Sequence, residues 1–195
     1  MTAKIVEPFR LNGNIMYHNE KYYDHNNEKT NEYFFTQEFK ERLEATAFKN
    51  NMPVICPSFC EIPIFEKSHN DIVYPVMIMV DITFDGNGYE LMWLPIIESE
   101  SNTKTIEKEI DISNGYEVNV ERPTYIVVSY MTIDGNKKEA VIKNELCRKF
   151  LQIYDTIEGI SIRERAKPLA RKFADKKYAK RMRKYNVPYN KTKES

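Results

Sequence analysis

Cys56, Cys60 and His69 place two thiols and an imidazole within fourteen residues, and His18 and His25 lie upstream. Thiolate and imidazole are zinc donors, but zinc centres bring tightly paired ligands and a recognisable second half, and neither is present here. The remaining reading is two thiols in an apolar extended segment, each behaving as a small hydrophobe, with no metal or other cofactor. Asp81, Asp85 and Glu90 gather three carboxylates around one turn, as a metal-dependent nuclease would. No Glu-x-Lys follows on a later strand, and acids at a strand end commonly serve solvation. Nucleophilic catalysis lacks its local signature: there is no G-x-S-x-G elbow, and three dispersed His suggest no pairing. Phosphate-cradling loops are also missing, since the Gly-Asn-Gly at 86–88 reads as a hairpin turn and the chain has only six glycines. No catalytic residue is expected, and the chain reads as a protein that is not an enzyme.

What remains is charge. The formal net charge is zero, yet residues 163–195 hold 13 Lys/Arg against 3 Asp/Glu, so the body that precedes them is acidic to the same extent. Arg163, Arg165, Lys167, Arg171, Lys172, Lys176, Lys177, Lys180, Arg181, Arg183 and Lys184 are the candidate contacts to an anionic partner, with Lys143, Arg148 and Lys149 on the preceding helix as a second set. Lys and Arg on phosphates release counterions and give salt-dependent affinity, which makes nucleic acid the natural partner. Two rivals remain for the same charge: docking on the acidic body of a neighbouring subunit, and lying on an anionic membrane. The apolar stripe Leu169, Phe173, Tyr178, Met182 and Tyr185 is narrow for the membrane role and suits packing on the body.

The elements that would position these groups centre on Asp71 to Ser99. Ile72, Tyr74, Val76, Ile78, Val80, Ile82 and Phe84 share one period-2 face, with Val73, Met77 and Met79 on the other. After the Asp85-Gly86-Asn87-Gly88 turn, Tyr89, Leu91, Trp93 and Ile97 line one side of a second strand and Met92, Leu94 and Ile96 the other, so this hairpin needs cover on both faces. Upstream, Asn12-Gly13 marks a small hairpin and residues 18–33 a polar, Tyr-rich loop or arm. Phe35, Phe39, Leu43 and Ala47 recur every four residues behind Thr36, which predicts an amphipathic helix ending near Asn50-Asn51. Three prolines make 52–65 extended and edge-like. Residues 98–113 read as an exposed polar connection that includes at most a short helix. Two strands follow, around Tyr116 to Val120 and after Pro123, and a helix is predicted over Lys138–Glu158 with Gly159 as its C-terminal cap. The last helix begins near Pro168, or earlier if Ser161 and Glu164 form a capping box, and stops before Pro188.

The order helix, extended segment, β-meander, helix, together with Ile82 to Ser101 (ITFDGNGYELMWLPIIESES), resembles the single-strand annealing proteins of phage recombination systems. In that family a hairpin ending in a Trp-Leu-Pro-like sequence leads to a basic strand-to-helix passage, to which Ile133 to Lys138 and the helix through Arg148 and Lys149 are similar. The resemblance spans roughly residues 70–158. It implies an oligomeric, cofactor-independent protein holding single-stranded DNA in a basic groove, with Lys137, Lys138, Lys143, Arg148 and Lys149 as contacts.

The expectation is an α+β fold, an antiparallel β-meander covered by helices, with a basic amphipathic C-terminal helix. Residues 1–35 form an arm, 36–160 the core and 161–195 the basic helix and tail. Its function is expected to be non-enzymatic nucleic-acid binding of phage or mobile-element type, with single-stranded DNA favoured; the alternative is a virion assembly protein whose tail and arm bind neighbouring subunits. A homo-oligomer is expected in either case. An odd set of three Cys, no membrane-spanning run and no signal-peptide layout point to the cytoplasm.

Overall fold

The computed structural model describes residues 10–11, 36–61, 77–83, 88–111 and 114–184. The Asn12-Gly13 turn, the Tyr-rich stretch 18–33, all three His, the Asp85-Gly86-Asn87 turn and Tyr185 lie outside them, as do Ile72 to Val76 of the expected long strand. In chain order the elements are β1 (Arg10–Leu11), α1 (Gln37–Lys49), β2 (Val54–Ile55), a 3-10 turn (Pro57–Phe59), β3 (Cys60–Glu61), β4 (Met77–Asp81), β5 (Tyr89–Glu100), β6 (Lys104–Ile110), β7 (Glu117–Pro123), β8 (Tyr125–Met131), β9 (Lys137–Lys143), α2 (Asn144–Ile157), α3 (Ile162–Arg165) and α4 (Pro168–Lys184). The architecture is α+β. Strands β2-β4-β5-β8-β9 form one antiparallel sheet in that order, and β6-β7 and β1-β3 form two-stranded ribbons.

Each end of the first helix is fixed chemically. The Thr36 hydroxyl accepts from the Phe39 amide at 3.1 Å, satisfying an otherwise orphaned donor at the N-terminus of α1. Asn51, with φ +52°, turns the chain out just beyond the C-terminus. Helix α2 ends in a Schellman motif: the Ile160 amide donates to the Asp155 carbonyl at 2.7 Å and the Gly159 amide to Thr156 at 3.1 Å, with Gly159 at φ +71°.

The core lies where α1 and α2 pack on the sheet. Phe39 and Leu43 of α1, Met77 to Val80 of β4, Met92, Ile126, Val128 and Phe150 are all fully shielded from solvent. Every residue of β4 is buried, Asp81 included, as a strand apolar on both faces requires. Strand β5 departs from the expected alternation. Its register with β8 gains one residue between Trp93 and Ile96, where Leu94 takes φ +46°, and another between Ile97 and Ser99. These bulges break the period, so Met92 is buried while Leu94 and Ile96 face solvent.

Two expectations are corrected. Residues 104–110, expected to lie within an exposed connection, form β6, paired over its whole length with β7. Residues 138–143, expected to begin the second helix, belong instead to β9, paired residue for residue with β8. The helix starts only at Asn144, whose amide donates to the Thr124 carbonyl at 2.7 Å.

Trp93 is the sole tryptophan and only 7% exposed. Its native emission should be blue-shifted and should move red on unfolding. Truncation to Ala should cost about 3–5 kcal/mol by chemical denaturation, the range for a large aromatic removed from a packed core.

Candidate functional site around a buried ion network

Helix α2 has two working faces. Leu146, Phe150 and Ile153 enter the core against the sheet, while Arg148, Gln152 and Asp155 recur at helical spacing on another face, which meets the β6-β7 ribbon. On that face Glu109 of β6 and Arg122 of β7 are buried together with Arg148 and Asp155. Arg122 makes a two-point contact with Glu109, Nε to Oε1 and Nη2 to Oε2 both at 3.0 Å, and its Nη1 donates to Asp155 Oδ2 at 2.5 Å. Arg148 Nη1 donates to Glu109 Oε1 at 2.7 Å and to the Val120 carbonyl at 3.1 Å; its Nη2 reaches the carbonyl and hydroxyl of Thr105 at 3.0 and 2.9 Å. From α3, Arg165 closes on Asp155 Oδ1 through Nε at 3.0 Å and Nη2 at 2.6 Å. Glu107, half-exposed, faces Arg148 Nε at 3.4 Å. Three guanidinium groups thus meet three carboxylates. Burial works against the charge on Arg122, and the hydrogen bonds and charges of Glu109 and Asp155 more than offset it, holding the guanidinium above its ordinary pKa.

Such a junction is fragile to the loss of one member. Arg122→Met should cost about 3–5 kcal/mol in urea unfolding, because it strands buried carboxylate charge, whereas removing the exposed Lys104–Glu100 pair should cost at most about 1 kcal/mol.

The residues expected to bind an anionic partner divide in the structure. Arg148 is no surface group but the centre of the network, 8% exposed. Lys149 pairs with Glu145 at 3.6 Å, and Lys143 stands exposed at the end of β9 beside a cleft of about 370 Å³ lined by Ile82 and residues 140–146. Arg163 grips Asp175 at two points, both 2.9 Å; Lys167 pairs with Glu121 at 3.0 Å and Lys177 with Glu117 at 2.7 Å. Arg181 donates to the Gly115 carbonyl and lies over the Tyr178 ring, 5.2 Å from its centroid. Much of the basic segment is therefore spent on the chain's own acidic β7 and on α4. Arg171 is half-exposed, and Lys172, Lys176, Lys180, Arg183 and Lys184 face solvent. The expected apolar stripe forms the contact only in part: Leu169 and Phe173 are exposed, while Tyr178 packs edge-on against Tyr116 beside the small cluster of Ala174, Tyr116, Val118, Val120, Ile162 and Ala166 that docks α4.

Asp175 anchors this docking, with its Oδ1 also accepting from the Tyr116 hydroxyl at 2.8 Å. Burial tends to raise its pKa, but Arg163, Tyr116 and the charge of Arg171 together hold it below the ordinary carboxylate value. A group whose pKa is depressed by folding stabilises the fold above its unfolded pKa and loses that contribution as pH falls through the folded one. Urea midpoints of wild type and Asp175→Asn should therefore differ at neutral pH and converge in acid.

No group of three metal-donor side chains is assembled among the described residues. Cys56, Cys60 and Cys147 are free and buried, and burial pushes the Cys56 and Cys147 thiols up to about 11 and Cys60 higher still, so none is a thiolate at neutral pH. Hydrolysis of an amide by a metal-bearing helix relies on two His at i and i+4 with a Glu between them. On α2 the polar i, i+4 pair beside the network is Gln152 and Thr156, followed and preceded by the buried Ile153 and Asp155. The Gln152 amide donates to the Ile110 carbonyl at 2.8 Å and the Thr156 hydroxyl to the Gln152 carbonyl at 2.9 Å. These residues do not fit a metal. Sequence reasoning missed Glu109, Arg122 and Asp155; the one available signal was Arg148 and Asp155 recurring seven residues apart on one face of the helix.

The family model for polypeptide deformylase matches residues 72–172, just over half of the chain. Among solved structures, a peptide deformylase from Synechococcus elongatus in complex with actinonin is 17% identical, with 95% of this chain and 91% of that one covered at a TM-score of 0.64. The enzyme from Thermotoga maritima is 18% identical, covering 83% and 99% at 0.58, and that from Legionella pneumophila 17% identical, covering 80% and 87% at 0.57. No curated protein matches the sequence. These findings overturn the resemblance to phage single-strand annealing proteins: the matched span contains the whole passage from Ile82 to Ser101 that carried it. With it fall the expectations of a recombination protein binding nucleic acid, of a virion assembly component and of a chain that is not an enzyme, since the matching family is named for a hydrolytic enzyme. No helix among the described residues is long and apolar enough to cross a membrane. From the matched span and the fold it encloses, the chain belongs to the polypeptide deformylase family.

Proposed function

We propose that this protein acts at the formylated amino terminus of peptides, hydrolysing the formyl amide to release formate and a free amine. The observation that carries the reading is the coincidence of the family match with the framework described above: residues 72–172 run from the edge of β4 through β5 to β9, α2 and α3, into the first turn of α4. Three free, buried Cys suit a reducing compartment, and the cytoplasm is the proposed place of action.

The reaction needs a water made nucleophilic by loss of a proton and donors for the oxygen that becomes negative in the tetrahedral intermediate. The buried carboxylates do not meet the first need. Glu109 presents both oxygens to guanidinium donors, as does Asp155, and both side chains are buried in those contacts rather than facing an open space. What the network supplies is position: it fixes α2 between the sheet and the β6-β7 ribbon and so sets the spacing of the walls between which a peptide end would lie.

The test is an N-formylated tripeptide incubated with the full chain, with formate and free amine measured separately, beside calorimetric binding of the formylated and N-acetylated peptides. Hydrolysis above the buffer rate, with preference for formyl over acetyl, is expected. The absence of both turnover and preference for the formylated end would overturn the reading.

A further inference from the structure

We infer that α2 and the strands facing it hold no metal ion, and that the polar face of the helix is engaged instead by a charge-neutral guanidinium–carboxylate junction clamping the β6-β7 ribbon to it. The inference rests on the deformylase reading in one respect only: amide hydrolysis commonly draws its activated water from a bound metal.

Three observations carry it. The donor types are wrong, because the polar positions of α2 on this face are Arg148, Gln152, Asp155 and Thr156, of which only Asp155 is an ordinary metal ligand. The two buried carboxylates are already engaged: Asp155 receives Arg122 on Oδ2 and Arg165 on Oδ1, and Glu109 receives Arg122 on both oxygens and Arg148 on Oε1. The local field is also wrong. A divalent cation placed between these carboxylates would lie beside Arg122 and Arg148, both buried and both permanently charged, so like-charge repulsion in a poorly solvated space opposes its entry.

The arrangement is complete as it stands. Among the described residues no buried side-chain nitrogen or oxygen is left without a hydrogen-bond partner, so each buried polar atom of the junction is already engaged within the protein. Arg148 does the work that spans the gap: from one helix position it reaches the carbonyl and hydroxyl of Thr105, Glu107, Glu109 and the Val120 carbonyl, tying both strands of the ribbon to α2.

The experiment measures metal content of the full chain purified without chelators, using inductively coupled plasma mass spectrometry. It also measures the unfolding temperature with EDTA and with added Zn²⁺, Co²⁺, Ni²⁺ or Fe²⁺ under reducing, anaerobic conditions. Metal far below one per chain, with no shift of the unfolding midpoint by chelator or ion, is expected, as is a metal content that Asp155→Asn and Glu109→Gln leave unchanged. Gln152→His combined with Thr156→His supplies an i, i+4 imidazole pair on the same face and should gain Co²⁺ absorbance that the wild type lacks, showing that the assay detects a site there. Stoichiometric metal in the wild type, lowered by Asp155→Asn or Glu109→Gln, would overturn the inference. Should those variants not fold, the wild-type content and its response to EDTA decide alone. Because these readouts are independent of turnover, loss of the deformylase reading would show as absent peptide hydrolysis, whereas loss of this inference would show as bound metal.

Discussion

The contact on which the rest of this structure depends is the one between Arg122 and the two carboxylates it joins, Glu109 of β6 and Asp155 of α2. Strand β6 has almost no apolar reason to be where it is. Of its seven residues only Glu109 is buried, so the hydrophobic effect does not hold it, and the ribbon is fixed to the helix by charge-assisted hydrogen bonds in a space that excludes water. Ion pairs of this kind are weak sources of net stability, since desolvating each charge costs about as much as their attraction returns. Their value lies in geometry. A guanidinium that must meet a carboxylate at two points accepts one orientation, and the four buried members together fix the register of ribbon against helix more narrowly than interchangeable methyl groups would.

The same logic explains which parts of the fold were legible in the sequence. Helix α1 was readable because its capping residue and its four-residue apolar repeat agree, and β4 because Met77 to Val80 are apolar without interruption. Strand β9 was not. Its sequence, KKEAVIK, runs into NELCRKF without a break and reads as one helix; pairing along all of β8, together with the left-handed φ of Asn144, overrides that local preference. Strand β6 was invisible for a different reason. The alternation that reveals a strand is an alternation of hydrophobicity, and here the inward position is a glutamate whose partners lie thirteen, thirty-nine and, through Arg122, forty-six residues further along the chain. No window on the sequence contains both ends of that interaction. The bulges of β5 were hidden likewise, because nothing in Trp93 to Ser99 marks the extra residues except a pairing partner.

Charge misled where hydropathy informed. The segregation of basic residues into 163–184 is real, but its meaning depends on what lies across from it. Glu117 and Glu121 of β7 stand opposite the basic segment, and Asp155 opposite Arg165, so an excess that looks in one dimension like an invitation to phosphate is in three dimensions partly an internal neutralisation. The weak amphipathicity of α4 fits this arrangement. A helix held by Tyr116, by Arg163 through Asp175 and by the small Ala174 needs no broad apolar face, which leaves Leu169 and Phe173 outside the contact.

Membership of a family of hydrolases and a junction without metal donors bear on each other through α2. A helix serving catalysis must turn reactive groups toward an open space, and groups that are saturated by fixed partners cannot move protons or bind water. In this chain much of the polar face of α2 is taken up by contacts within the protein: Arg148 and Asp155 are buried, and Gln152 is engaged with the Ile110 carbonyl. The shared fold therefore specifies where α2 lies between sheet and ribbon, while the side chains on its polar face specify what that position is used for, and those two properties are set by different residues of the same helix. Leu146, Phe150 and Ile153 secure the placement against the core and are indifferent to whether position 152 carries a proton acceptor or an amide. A sequence can thus keep the architecture that a family model recognises while salt bridges lock the polar face of this helix in place, because packing and polar contacts are written on opposite sides of one cylinder.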